Sequence, residues 1–319
     1  MVRYSLRRMV EAVPLLAALT LLSFALLHLT PGDPAVLLYG TDLSPSELQD
    51  IRSAWGLDQP LHIQYAKWLL NLAQGNLGYS YVDGRPVLEV IAERMPATLL
   101  LTGTGLILAL LIGLGIGTLA ALRPGSRLDI AATFLATLLY SIPGFWLGLL
   151  LILLFSLTLG WLPSGGMESH RSASPLMDLP RHLVLPAFVI SMREAGRLLR
   201  YTRAGLLDVM RQDYTRTARA KGLSESQVVL QHAWRNALIP VITLTGLSLP
   251  YLFSSSIVVE TVFSWPGVGR LAFEAALQRN YSVLMGDVLI VGILVIIGNL
   301  MADLGYALVD PRVKEAVAR

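Results

Sequence analysis

Long apolar stretches recur along the chain and are separated by shorter polar segments. A transmembrane helix needs about 20 predominantly apolar residues, and six stretches approach that pattern. The fourth of them carries four arginines, spaced four, three and three residues apart near one helical face. We interpret these arginines as side chains that reach toward the inner headgroups. The predicted spans are 10–30, 97–122, 130–159, 182–207, 237–259 and 284–308.

The segment between the first two spans is too long to be a simple connector and carries helix signals of its own. Ser44-Pro45-Ser46-Glu47 is a capping box with proline at the first helical position, and Gly56 closes that helix. A second amphipathic run, 61–73, follows Pro60. We therefore predict an all-α polytopic membrane protein with a helical insert after its first span, which we expect to remain uncleaved.

The loop before the fifth span, residues 204–236, predicts two short helices that meet at a glycine. A basic run from Asp213 ends at Gly222, and Ser224 with Gln227 forms a second capping box. A compact corner of this kind is suited to docking in the groove of a partner. The alternative is a basic loop that holds anionic lipid.

Charge placement predicts the orientation of the chain in the membrane. Hydrophobic residues make up 54% of the chain and charged residues only 15%, which is unusual for a soluble domain. With both termini placed in the cytoplasm, 17 of the 25 Lys and Arg residues fall on inner segments, as the positive-inside rule requires. This distribution accounts for the isoelectric point near 9.2 without a nucleic-acid partner.

The sequence lacks the common catalytic and metal-binding motifs. It contains no cysteine, no P-loop, no paired histidines of the H-E-x-x-H type and no G-x-S-x-G elbow. We therefore predict neither catalytic nor metal-binding residues, and no enzyme activity. Glu260 and Asp287 could serve as gating or hydrogen-bonding groups, but we interpret their carboxyl groups as interfacial and solvated. The scarcity of ionisable residues within the spans argues against the remote alternative of an ion-coupled secondary carrier.

The predicted topology divides the chain into three parts. Residues 1–30 form an N-terminal cytoplasmic segment and the first span, 31–96 form the extracytoplasmic insert, and 97–319 form a core of five spans with the loop 204–236.

The loop closely resembles the EAA loop of ATP-binding-cassette importer permeases, and more narrowly that of the oligopeptide/dipeptide/nickel family, dipeptide-permease B type. The resemblance covers nearly the whole chain. Arg216-Thr217-Ala218 stands where the general pattern has Glu-Ala-Ala, whereas Gly222 keeps the glycine of the loop. The stretches that carry the resemblance are 30–34, 56–60, 75–78, 214–240, 260–270 and 310–312.

The resemblance implies a division of labour among subunits. Two different, homologous permeases would pair as a heterodimer, two cytoplasmic ATPases would bind ATP and magnesium, and an extracytoplasmic binding protein would deliver the substrate. This chain would bind no cofactor itself and would lie in a bacterial cytoplasmic membrane, in contact with lipid.

The resemblance also identifies two groups of candidate residues. The first would couple the permease to an ATPase: Tyr214, Arg216, Thr217, Ala218, Ala220, Lys221, Gly222 and Leu223. The second would form the outer mouth or gate: Glu260, Phe263, Trp265, Pro266, Gly267 and Gly269. Di- or oligopeptides are the expected substrates, with nickel chelates, glutathione or sugars as alternatives.

Overall fold

The computed structural model describes residues 2–29, 31–39, 44–169, 175–237 and 239–309, and the statements below concern these residues. They form helices joined by short loops, and no sheet is found among them beyond one isolated bridge between Tyr79 and Pro86. The helices are α1 Val2–Leu29, α2 Pro34–Tyr39, α3 Pro45–Trp55, α4 Leu61–Ala73, α5 Val87–Leu122, α6 Arg127–Ser141, α7 Gly144–Leu151, α8 Pro175–Val209, α9 Asp213–Ala220, α10 Glu225–Gln227, α11 Trp234–Ala237, α12 Ile239–Val262, α13 Val268–Leu277 and α14 Tyr281–Val309. Two π-helical segments, Ile152–Thr158 and Val228–Ala233, continue α7 and α10.

Helices long and apolar enough to cross a membrane are present, as predicted. Within the described residues three helices meet that test: α1 over Arg8–Leu29, α5, and α14 over Tyr281–Met301. A fourth crossing is added if α6 and α7 together form one bent span. The all-α membrane class is confirmed, and the count of six spans remains a prediction.

The third predicted span, 130–159, is not one helix. The axes of α6 and α7 differ by 105°, and the break lies at Ile142 and Pro143. Ile142 has extended backbone angles, φ −75° and ψ 129°, because the proline ring disfavours helical geometry in the residue before it. The helix is therefore completely interrupted before Pro143.

The chain separates into two compact units. The first contains residues 1–7, 99–265 and 295–319, and the second contains 8–98 and 266–294. The predicted three-part division concerns placement relative to the membrane and remains a prediction.

In the first unit, α8 lies against α5 along a row of glycines. A Cβ atom added at Gly113 would come within 2.6 Å of Leu198, and one at Gly117 within 2.8 Å of the Leu199 carbonyl oxygen. A Cβ atom added at Gly105 would likewise come within 2.4 Å of Ile190. Gly113 and Gly117, four residues apart, thus allow the two backbones to approach closely. Because residue numbers rise together along both helices, α5 and α8 run in the same direction.

Helices α6 and α12 run opposite to α8. On α6, Ala136 packs against Gly196 and Asp129 binds Arg203, so numbers rise on one helix as they fall on the other. On α12 Ser248 contacts Arg197, and just before α12 Ala237 packs against Gly205, so the same opposite order holds. These alternating directions agree with α5 and α8 crossing a membrane one way and α6 and α12 crossing it the other way.

The second unit contains the insert. Helix α3 has the predicted capping box at Ser44 and Glu47, with Gly56 as its left-handed cap at φ +70°. Helix α4 spans Leu61–Ala73, as predicted, and the Tyr65 hydroxyl lies 3.1 Å from Thr20 Oγ1 of α1. The buried core of the second unit is formed by apolar residues of α5, α13, α14 and the segment before α5: Leu77, Val87, Val90, Ile91, Val268, Leu271, Ala275, Val283 and Leu289.

Candidate functional site

The predicted corner of the coupling loop (residues 204–236) is fastened to the helices around it. The hydroxyl of the buried Thr215 lies within hydrogen-bonding distance of two carbonyl oxygens, that of Gln212 at 2.6 Å and that of Met210 at 2.9 Å. On the far side of the corner, Trp234 Nε1 donates to Thr118 Oγ1 of α5 at 3.0 Å. One arm of the corner is therefore tied to the turn that follows α8, and the other arm is tied to α5.

Gly222 forms the turn between the two short helices. Its φ is +82°, a left-handed conformation that only glycine adopts at low cost. The Gly222 N–H donates to the Arg219 carbonyl oxygen at 2.9 Å, and the Leu223 N–H donates to that of Ala218 at 3.4 Å. This pattern is a Schellman motif. A Cβ at Gly222 would meet no atom of this chain within 4 Å, so the position is open to a partner.

The second helix is joined to the first by side chains. The capping box at Ser224 and Gln227 is formed as predicted, with the Ser224 N–H donating to Gln227 Oε1 at 3.0 Å. Arg219 Nε donates to Glu225 Oε1 at 2.6 Å, and its Nη1 donates to the Met210 carbonyl oxygen at 3.1 Å. Hydrogen bonding to Glu225 raises the pKa of the Arg219 guanidinium, because it favours the charged form.

Most of the predicted coupling residues lie on the surface of the corner. Leu223 is half-buried, and Ala218 is only 5% exposed. Sequence reasoning missed the buried Thr215 and the structural role of Arg219, because neither ion-pair partners nor burial can be read from a basic run. The exposed members are Tyr214, Arg216, Thr217, Ala220, Lys221 and Gly222.

The predicted outer mouth, residues 260–269, belongs partly to each compact unit. Its predicted members in the first unit are buried. Phe263 is 1% exposed, and Glu260 and Trp265 are 0% exposed. Ser264 has φ +49° and takes the position that glycine usually occupies in a Schellman motif. The Trp265 N–H accordingly donates to the Glu260 carbonyl oxygen at 2.8 Å. The assignment of these residues to an outer mouth or gate remains a prediction.

In the second unit, the predicted mouth residues lie at the start of α13. Gly267 and Gly269 are buried, and Pro266 is half-buried. The Val268 N–H donates to Thr98 Oγ1 at 2.8 Å, which satisfies one of the free donors at the start of the helix. Gly267 has an extended backbone with ψ −178°, so no left-handed conformation explains this glycine.

The interpretation of Glu260 and Asp287 as solvated carboxyl groups is wrong. Their residues are 0% and 3% exposed, because α12 and α14 pack against other helices at these positions. Within the part of the chain that the structure describes, no group of three His, Asp or Glu residues could hold a metal ion.

The arginines of α8 have partners within the chain, which sequence reasoning also missed. Arg203 Nη2 donates to Asp129 Oδ2 at 2.8 Å, and Arg197 Nε donates to Glu194 Oε1 at 2.8 Å. Both carboxyl side chains are 3% exposed. The spacing of Glu194 and Arg197, three residues apart, is the one sequence signal that could have indicated a pair.

Comparison with known proteins places this architecture in a family. The profile described as "Binding-protein-dependent transport system inner membrane component" matches residues 113–315. A second profile, for the N-terminal part of such membrane components, matches residues 1–102. The chain belongs to the family of binding-protein-dependent transport system inner membrane components. It is thus a membrane subunit of an ATP-binding-cassette transporter rather than its ATPase, as the sequence resemblance implied.

Relatives of the family resemble the chain over its full length. The oligopeptide transport system permease protein AppB of Bacillus subtilis (strain 168) is 45% identical over 315 residues, covering 98% of this chain and 100% of AppB. The glutathione transport system permease protein GsiC of Salmonella paratyphi A is 41% identical over 314 residues, covering 98% and 99%.

A solved structure shares the fold. The MetNI methionine ABC transporter, in an inward-facing conformation, matches with a TM-score of 0.57 at 20% identity. The match covers 70% of this chain and 97% of the other.

Proposed function

We propose that this family member forms one half of the translocation pathway of an importer for di- or oligopeptides. The exposed corner at Gly222, held rigidly by both of its arms, is the observation that carries the coupling part of the proposal. The name of AppB, an oligopeptide permease at 45% identity, supports the substrate class. Glutathione, named for GsiC, is the second candidate and is itself a small peptide.

The partners follow from this role. A second homologous permease completes the pathway as a heterodimer, and two ATPases bind ATP and magnesium on the cytoplasmic side. An extracytoplasmic binding protein delivers the peptide to the outer face. The corner formed by α9 and α10 docks on one ATPase through the exposed residues Tyr214, Arg216, Thr217, Ala220, Lys221 and Gly222.

The orientation of the chain is part of the proposal. Both termini and the coupling loop lie in the cytoplasm, and the insert lies outside the cell in a bacterial inner membrane. The distribution of basic residues supports this arrangement, and the alternating directions of α5, α6, α8 and α12 agree with successive crossings of the membrane.

Replacing Gly222 with valine tests the coupling role. A side chain at φ +82° costs about 1–3 kcal/mol of backbone strain and adds bulk where an ATPase would dock. We expect peptide uptake by the reconstituted importer to fall roughly tenfold, since about 1.4 kcal/mol corresponds to a factor of ten, while ATP hydrolysis continues. Uptake and ATPase rate would be measured on the same proteoliposomes.

Gly125, in the loop between α5 and α6, provides the matched control. Its φ is +77°, and a Cβ there also meets no atom within 4 Å, so Gly125→Val introduces similar strain in an exposed loop. We expect this variant to transport normally. Equal loss of uptake in both variants, or normal uptake with Gly222→Val, would contradict docking at the corner.

A further inference from the structure

Arg193 lies midway along the helical bundle of the first unit, at an exposed position of α8. It stands near the centre of α8, next to Met192, which packs in one cluster with Ala109. Ala109 is the midpoint of the predicted span 97–122. The level of Arg193 along α5 is therefore that of the middle of this predicted span. An ionisable side chain at this depth is costly and usually serves a function.

The guanidinium of Arg193 rests on aromatic rings instead of a carboxylate. Its Cζ lies 4.8 Å from the ring centroid of Tyr140 and 5.1 Å from that of Tyr251. Arg197 and Arg203 on the same helix each bind a buried carboxylate, whereas within the described residues Arg193 forms no ion pair. Ring faces stabilise the cation. Hydrogen bonds to the two phenol groups engage only some of the five guanidinium N–H donors, so others can bind a carboxylate ligand.

A cavity opens beside Arg193 at the break between α6 and α7. Its volume is about 470 Å³, which is within the usual range for small-molecule sites. Its polar lining includes Arg193, Tyr140, Tyr251 and Ser255, and apolar side chains such as Val189 and Val258 form other walls. A single positive charge within largely apolar walls suits a small ligand with one carboxylate and apolar side chains.

We propose that Arg193 binds the C-terminal carboxylate of the peptide as it passes through the membrane, with Tyr140 and Tyr251 holding the guanidinium in place. This inference rests on the proposed function, because it specifies which group of a peptide the pathway recognises. A planar guanidinium can bind both oxygens of a carboxylate at once. A peptide amide, which lacks the negative charge, forms no such pair.

The test compares a dipeptide with its C-terminal amide in the reconstituted importer. Both compounds are supplied at concentrations shown by direct binding to saturate the binding protein, so that its own preference does not enter. The unmodified importer should transport the free acid faster than the amide. Arg193→Gln should lower uptake of the acid by about tenfold or more, since it removes charged hydrogen bonds, and leave uptake of the amide within about twofold. Arg193→Lys should restore part of the preference.

Arg200→Gln is the matched control. Arg200 also lies over the Tyr140 ring, at 5.1 Å, but it does not line the cavity, so the preference for the acid should persist in this variant. An equal loss of acid and amide uptake in Arg193→Gln, or an unchanged preference, would overturn the assignment while the unmodified importer still transports peptides. Failure of the unmodified importer to transport either compound would overturn the proposed function and this assignment with it.

Discussion

Replacing Trp265 with alanine is expected to lower the free energy of unfolding by about 3–5 kcal/mol. Trp265 is the largest fully buried side chain among the described residues, with 0% exposure. Its removal would leave a cavity that the neighbouring helices cannot fill. Thermal unfolding of the full-length chain in detergent would measure the loss, and uptake would fall because less folded protein is present.

Trp146 serves as the control for this change. It is 47% exposed, so Trp146→Ala should change the unfolding free energy far less than Trp265→Ala does. Normal stability of Trp265→Ala together with lost uptake would contradict the packing role and favour direct contact with substrate at the mouth.

Removing the carboxylate of Glu194 should also cost about 3–5 kcal/mol of stability, because it leaves the Arg197 charge without its buried partner. Glu194 Oε1 accepts from Arg197 Nε at 2.8 Å and from Ser248 Oγ at 2.6 Å. The pair and Ser248 connect α8 to α12. We therefore expect Glu194→Ala to unfold at a markedly lower temperature than the unmodified chain.

Two comparisons distinguish the loss of the ion pair between Glu194 and Arg197 from a general effect of altered packing on stability. Glu274→Ala breaks the partly exposed pair with Arg270, whose atoms lie 2.7 Å apart, and should cost at most about 1 kcal/mol. Replacing Glu194 and Arg197 together with methionine should recover most of the stability, because no buried charge is left unpaired. A double variant as unstable as Glu194→Ala would contradict this explanation.

Local signals predicted much of the chain because they act within one turn of backbone. The capping boxes at Ser44 and Ser224, the second insert helix and the left-handed Gly222 each depend on neighbouring residues alone. The structure has all of them. The sequence pattern therefore sufficed to locate the corner of the coupling loop.

Contacts between distant segments were not predictable in the same way. Asp129 binds Arg203 across 74 positions of the chain, and the stacking of Arg193 on Tyr140 and Tyr251 joins three helices. Burial of Trp265 likewise depends on packing, whereas its neighbours in sequence, proline and glycine, suggested an exposed turn. Periodicity indicates which helices form, but it does not specify which side chains meet.

The most direct test of the permease role is a cross-link from the coupling corner. The chain has no cysteine, so a single cysteine replacing the exposed Thr217 can carry a photoreactive thiol probe in the assembled transporter. We predict that this probe cross-links to an ATPase subunit, and that the same probe at Asp50 of the insert does not. Cross-linking of the ATPase from position 50 and not from position 217 would contradict both the docking surface and the orientation of the chain.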